Sequence, residues 1–341
     1  MYKGQKFELR SVGEIKQDIL TVRQIEKEIK QLAVDPDDAY QVRKTAAMVL
    51  NNAPNYAYQN IALWLCGGGQ NVFLQDANSI IMRTPDLVEV LTFLKQNLPA
   101  VNRITSYGRA KTTAQKKIEE LKAIHEAGLT RLHVGFETGS DTILKMMDKG
   151  VTSAEEIEGG QKVVASGISL SEYYLTGLGG KTLWREHAAE SARVLNAINA
   201  DFIRIRTLSV SEGLLMWSDV EDRTFVRTTD EEMVEELKLF IGNLDCHSYL
   251  ASDHMGNLLQ EIEGQLPQDK GKMLAVIDRF QSLSPSERLN YRVGRRAHYY
   301  ADLDDMKDTA RYEIVEQIIE RFSDGTGEID EQIIYKMREA M

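Results

Sequence analysis

GLTRLHVGFETGSDTILKMMDKG, residues 128–150, decides the fold. It reads as a helix end at Gly128, a buried strand, a polar strand tip and the start of another helix. In the strand Thr130 to Phe136, Leu132, Val134 and Phe136 alternate with Arg131, His133 and Gly135, so the two sets point to opposite faces. Glu137 falls on the Arg131 and His133 side. If the apolar set packs on helices, the polar set lines the inside of a curved sheet. Glu137 then stands at its carboxyl-terminal rim, where barrel enzymes keep their chemistry.

The same plan repeats on both sides. Upstream, a strand over Val72–Gln75 ends in Asp76-Ala77-Asn78, and one over Arg103–Tyr107 ends in Gly108-Arg109. Downstream, Ser169–Leu175 ends in Thr176-Gly177-Leu178-Gly179-Gly180, and in Asp201–Thr207 the residues Arg204 and Arg206 share one face. Helical patterns lie between these strands, at Thr84–Asn97, from Thr112 or Thr113 to Gly128, at Ser153–Ser166 and at Leu183–Asn199. Strand and helix in alternation predict right-handed parallel βαβ units. Two helices precede them, at Ser11–Ala33, with Ser11 and Glu14 as a capping pair, and at Asp38–Asn51. After Thr207 the pattern becomes helical, at Asp230–Leu244, His254–Glu263, Lys270–Leu283 and Thr309–Phe322. The expected architecture is α/β: amino-terminal helices over 1–60, an incomplete barrel over 61–210 and a helical carboxyl-terminal domain over 211–341.

Composition narrows the function. With 43% hydrophobic and 27% charged residues, the chain is an ordinary globular protein. Its net charge of -11, without a basic run to track a phosphate backbone, argues against nucleic acid as a partner. Neither a long apolar span nor a secretory leader is visible, so no membrane partner and a cytoplasmic location are expected. Cys66 and Cys246 are the two cysteines, and neither Cys246-His247 nor Asp253-His254 matches a metal-ligand spacing.

The strand tips gather Asp76, Asn78, Arg109, Glu137, Thr138, Gly177 to Gly180, Arg204 and Arg206. Glycines let a planar base or a phosphate approach the backbone, carboxylates suit an ammonium, sulfonium or ribose hydroxyl, and paired arginines suit a carboxylate. An amino-acid adenosine conjugate would use them all. Each also has a plain reading: the glycines as a tight turn, Glu137 as the ion-pair partner of Arg204 or Arg206, Asp76 and Asn78 as caps. His125, His133 and His187 read as packed or solvated side chains. Trp217, His254, Arg295 and Arg296 are further candidates for shaping a substrate site, although exposed helical residues would read the same way.

The stretches VFLQDANSI (72–80), RITSYGRAKT (103–112), 128–150, YYLTGLGG (173–180) and ADFIRIRTL (200–208), in this order, resemble the radical S-adenosylmethionine (radical SAM) superfamily. The likeness is to the Fe-S oxidoreductase branch similar to oxygen-independent coproporphyrinogen oxidases, and it covers about 70–210. It implies a partial (β/α)6 TIM-like barrel. It also implies reductive cleavage of S-adenosylmethionine at a 4Fe-4S cluster, giving a 5′-deoxyadenosyl radical that takes hydrogen from a substrate, here unidentified. The Asp76 to Asn78 tip resembles the segment holding the methionine amino group, and Glu137 the ribose contact. Thr176, Gly177, Leu178 and Gly179 resemble the glycine motif against adenine. Arg204 and Arg206 fall near the methionine carboxylate or Glu137.

One departure is severe. The family ligates its cluster through CxxxCxxC, which this sequence lacks. The opening MYKGQKF resembles the segment that follows the last cluster cysteine and one further residue. The expectation is a truncated radical SAM protein whose first strand and cluster loop lie upstream of Met1, inactive as given. A barrel edge exposed by that loss would invite a homodimer. Two other readings remain: a non-catalytic nucleoside-binding or scaffold protein on the same fold, and an unrelated barrel enzyme such as a phosphate-binding lyase.

Overall fold

The structure is a computed structural model and describes residues 8–75, 77–214, 216–323 and 329–340. Asp76 and the MYKGQKF opening lie outside the described residues. Three helices come first: α1 (Val12–Gln31), α2 (Ala39–Asn51) and α3 (Tyr56–Cys66). Then follow β1 (Asn71–Leu74), α4 (Thr84–Asn97), β2 (Arg103–Gly108), α5 (Ala110–Gln115), α6 (Ile118–Ala127) and β3 (Leu129–Glu137). The middle of the chain forms α7 (Asp141–Met146), α8 (Ser153–Ala165), β4 (Ser169–Thr176), α9 (Gly180–Ile198) and β5 (Phe202–Thr207). Beyond it come α10 (Trp217–Glu221), α11 (Asp230–Asn243), β6 (Tyr249–Ala251) and β7 (Glu263–Gln265). The chain closes with α12 (Lys270–Ser282), α13 (Pro285–Arg296), α14 (Thr309–Phe322) and α15 (Glu331–Glu339).

The strands lie in chain order, β1 to β7, in one seven-stranded sheet. β1 with β2, β4 with β5 and β5 with β6 pair in parallel, while β7 runs antiparallel to β6. Consecutive parallel strands with a helix between each pair, and no reversal of order, make a partial (β/α) barrel followed by helices. Where the sequence reading expected five strands, the described residues hold seven. The expected helix over His254–Glu263 is absent. Its backbone is claimed by buried arginines of α13: Arg296 Nη1 donates to the Gly256 carbonyl at 2.7 Å, and Arg295 donates to those of Asn257 (2.9 Å) and Leu258 (3.1 Å).

The chain divides into two compact units: residues up to 108 with 115–133 and 165–169, and the remainder. In the first, α1 starts at a capping box in which Ser11 and Glu14 satisfy each other's backbone. Ile25, Ile29, Val42, Ala46, Ile61 and Leu65 form the core of α1 to α3. Each larger side chain so withdrawn contributes about 1.5–3 kcal/mol. The polar face of the strands here carries rings: Phe73 and Tyr107 lie 4.6 Å apart, and His133 is 5.9 Å from Phe73.

The second unit is built around buried polar groups. Tyr174 of β4 stacks on Phe240 of α11 at 3.8 Å and on His187 of α9 at 4.8 Å. Its hydroxyl donates to Glu236 of α11 at 2.7 Å, and the Gly177 amide donates to the same carboxyl at 3.0 Å. Burial pushes Glu236 up to about 8, against those two donors, and pulls His187 down to about 4. Further along, Asp230 at the start of α11 meets Arg296 at 2.6 Å, Arg338 at 3.5 Å and Arg292 at 3.6 Å. Burial alone would raise its carboxyl, yet the three guanidiniums hold it well below the usual range. α15 docks through the same chemistry: Arg227 donates to Glu339 at 2.8 Å and to Gln332 at 2.9 Å, and lies 4.1 Å from the Tyr335 ring.

Two outcomes follow from this packing. Gly177 sits at φ 90°, and a Cβ there would meet Met233 Cε at 2.5 Å, so Gly177→Ala should lower stability by about 1–3 kcal/mol in urea denaturation. Glu156 of α8 is buried with neither carboxyl oxygen hydrogen-bonded among the described residues, and burial, then the charge of Glu172 on β4, push it up to about 10. The folded state keeps a proton that the unfolded chain loses near the ordinary 4.5, so stability is full below that pH and declines as pH rises toward about 10. Glu156→Gln should shrink the loss of stability between about pH 5 and about pH 9 by roughly 1–3 kcal/mol, measured by denaturation at both values.

Candidate functional site

At the end of β3, Glu137 takes a left-handed backbone, φ 65°. Its side chain, about a third exposed at 34%, receives Lys149 Nζ on Oε2 at 2.6 Å. The other oxygen folds back over Gly135, where an added Cβ would lie 3.2 Å from Oε1. Gly135 and Glu137 share a face, so the glycine leaves room for the carboxylate of the residue two places on. Beside it Thr138 is fully buried. Its Oγ1 lies 2.9 Å from His187 Nδ1 and accepts from the Ser140 amide at 3.2 Å, so it serves the fold.

The glycine turn after β4 is packed by the protein itself. The Gly177 amide is held by Glu236, and Leu178 is buried. A Cβ at Gly179 would meet the Leu183 backbone at 2.8 Å, and one at Gly180 the Phe225 ring at 2.9 Å. The Lys181 amide donates to the Val226 carbonyl at 2.9 Å, and with Phe225 against Gly180 and Thr228 against Gly177, residues 225–228 cover the turn. The close approach that glycine allows is used here by Met233, Phe225 and Leu183. Thr176 Oγ1 is buried without a hydrogen-bond partner among the described residues.

On β5, Arg204 and Arg206 project on the face opposite Ile203 and Ile205, which are buried. Arg206 Nη1 donates to Asp253 Oδ1 at 2.8 Å, and Arg204 donates to Oδ2 of the same carboxylate. The Arg206 guanidinium lies 4.7 Å from the Tyr173 ring of β4. The ion pair weighed from the sequence, Glu137 with Arg204 or Arg206, is therefore replaced by two: Glu137 with Lys149, and the arginines with Asp253. His254 follows; burial and then the charge of Arg206 lower its pKa.

Two further tip residues are Asn78 and Arg109. Asn78, in the first unit, is buried and precedes a 3-10 turn at Ser79–Ile81, which its side chain does not cap. Arg109 is exposed, and its carbonyl accepts the Thr112 and Thr113 amides that open α5. Of the other candidates, Arg295 and Arg296 are buried and bonded to backbone carbonyls, and Trp217 lies beside Arg227 at 5.8 Å. Lys149, Glu236 and Glu156 were not singled out by the sequence, and Asp253 was weighed there only with His254 as a metal pair. The partners of Lys149, Glu236 and Asp253 lie 12 to 62 residues away, and Glu156 has no hydrogen-bond partner among the described residues, so no local spacing rule reaches them.

The donor set can be tested against the groups the resemblance implies. A 4Fe-4S cluster leaving one iron open needs three thiolates. Cys66, half-buried, ends α3 in the first unit, and Cys246 is buried in the second. No group of three or more His, Cys, Asp or Glu among the described residues is placed to hold a metal. These residues do not fit a cluster. Glu137, with one oxygen on Lys149 and the other over Gly135, does fit a vicinal diol as hydrogen-bond donor, and the guanidinium pair fits a carboxylate. No helix of the described residues is long and apolar enough to cross a membrane.

No family model matches the chain, and no curated protein matches it in sequence. Among solved structures it is similar to Elp3 of the archaeon Methanocaldococcus infernus in an N-terminally deleted form. Identity there is 14%, over 62% of this chain and 55% of that one, with a TM-score of 0.47. It is also similar to coproporphyrinogen III oxidase (HemN) of Escherichia coli, described as a radical SAM enzyme, at 11% identity over 70% and 47%, with a TM-score of 0.43. A third is methylornithine synthase (PylB), at 14% identity over 68% and 77%, with a TM-score of 0.33. The chain spans about half the length of the first two.

Proposed function

We propose that this chain binds a nucleoside of the S-adenosylmethionine type at the ends of β3 to β5, as part of a protein of the radical SAM kind. The observation that carries the reading is Glu137. A non-glycine residue in the left-handed region costs about 1–3 kcal/mol, and such cost concentrates where a side chain must be aimed. Here the aim sets a carboxylate, oriented by Lys149, at the rim of a parallel sheet. The polar tips in the order DAN, GR, ETG, TGLGG and RIR add support, since their order and residue types resemble those of the superfamily.

When bound and reductively cleaved in proteins of that kind, S-adenosylmethionine supplies a 5′-deoxyadenosyl radical. The residues of this chain do other work: Glu137 accepts the ribose hydroxyls, Lys149 fixes its rotamer, and Arg204 with Arg206 receives the carboxylate of the amino-acid end. A binding or scaffold role without radical chemistry is the second reading, favoured by two cysteines in separate units.

Calorimetric titration with S-adenosylhomocysteine tests the proposal. Saturable binding should fall about tenfold or more in Glu137→Ala, the loss of hydrogen bonds to a charged group, and less in Glu137→Gln. Absence of binding by the unsubstituted chain, or equal binding by Glu137→Ala, would remove it. Lys149→Met should weaken binding about three- to tenfold while leaving the melting temperature nearly unchanged, because a pair this exposed contributes about 0–1 kcal/mol to stability.

A further inference from the structure

Arg204 and Arg206 lie two residues apart on one strand, with Tyr173 paired beside Arg204 on the neighbouring strand. Two guanidiniums converge on one carboxylate, and Arg204 Nε is buried without a hydrogen-bond partner among the described residues. That is more donor capacity than Asp253 uses. Asp253 is also the most open of the three, 39% exposed against 21% and 25% for the arginines.

The backbone behind it is fixed. Asn257 Nδ2 donates to the Ile205 carbonyl at 3.0 Å, and Arg296 and Arg295 hold the carbonyls of residues 256 to 258. Asp253, His254 and Met255 form the exposed tip of this segment. The Asp253 side chain can therefore turn into water without displacing the strand that carries the arginines.

We propose that Asp253 is an internal plug in a two-arginine carboxylate site, and that a ligand carboxylate enters by exchanging with it. The exchange swaps like for like: the entering carboxylate takes the place of the one expelled, so the guanidiniums are paired before and after it, and the expelled carboxylate is hydrated. A ligand without an anionic group has nothing to offer the arginines and leaves Asp253 in place, so the plug selects as well as competes. The proposal deepens the nucleoside reading and rests on it for the ligand's identity, an amino acid joined to adenosine. The existence of the anion site does not depend on that reading.

The apparent affinity of a plugged site is reduced by the fraction of molecules in which it is open. Asp253→Asn should therefore bind S-adenosylhomocysteine about tenfold more tightly than the unsubstituted chain by calorimetry, with 5′-methylthioadenosine, which lacks the carboxylate, unchanged. An equal gain for both compounds, or no gain where the unsubstituted chain binds, overturns the plug. Thermal melting in sodium acetate, against sodium chloride at matched ionic strength, tests the anion site without any nucleoside. Asp253→Asn should gain an acetate-dependent rise in melting temperature that the unsubstituted chain and the double variant Asp253→Asn with Arg204→Gln both lack. No such rise overturns the plug. If the rise is seen while neither nucleoside binds any form, the carboxylate site stands and the nucleoside reading falls.

Discussion

The buried carboxyl of Glu236 holds the second unit together. It accepts from the Tyr174 hydroxyl and from the Gly177 amide, so one side chain on α11 fixes both the end of β4 and the glycine turn that leads into α9. A turn of this kind leaves backbone donors that must find partners once buried. Glu236 supplies one, and the Val226 carbonyl supplies another to Lys181. The glycines are needed because Met233, Leu183 and Phe225 come so close. Sterics at the turn and hydrogen bonding beneath it are thus the same constraint seen from two sides.

The protein keeps two kinds of ion pair, and burial separates their roles. Asp230 and its arginines are almost completely withdrawn from water. Removing one partner of such a group leaves an uncompensated charge and costs about 3–5 kcal/mol, so these contacts are permanent. Glu137 with Lys149, and the arginines with Asp253, keep a fifth to two fifths of their side-chain surface. Water and ions compete for them, and each is worth about 0–1 kcal/mol. The exposed pairs involve residues of β3 and β5, while the permanent pairs join α11, α13 and α15.

The five longer strands were legible because alternation needs only four or more residues to declare itself, and Leu132, Val134 and Phe136 do so beside Arg131 and His133. β6 and β7, three residues each, are too short to show a period. α13 was hidden for another reason. Its RLNYRVGRR reads as a solvated surface, yet Arg292, Arg295 and Arg296 are buried, their charges answered by Asp230, by Glu331 and by backbone carbonyls from elsewhere in the chain. The tips of the site were readable as polar residues ending strands. Which of them pair was not, since Asp253 reaches Arg204 across 49 positions and Glu236 reaches Tyr174 across 62.

The docking of α15 gives the chain a schedule. Residues 177–180 are covered by residues 225–228, and Arg227 within that cover is anchored by Gln332, Tyr335 and Glu339. On a ribosome those anchors emerge more than a hundred residues after the turn they help to close. The glycine turn is therefore made well before its outer layer can be secured, and the anchoring of Arg227 waits for α15.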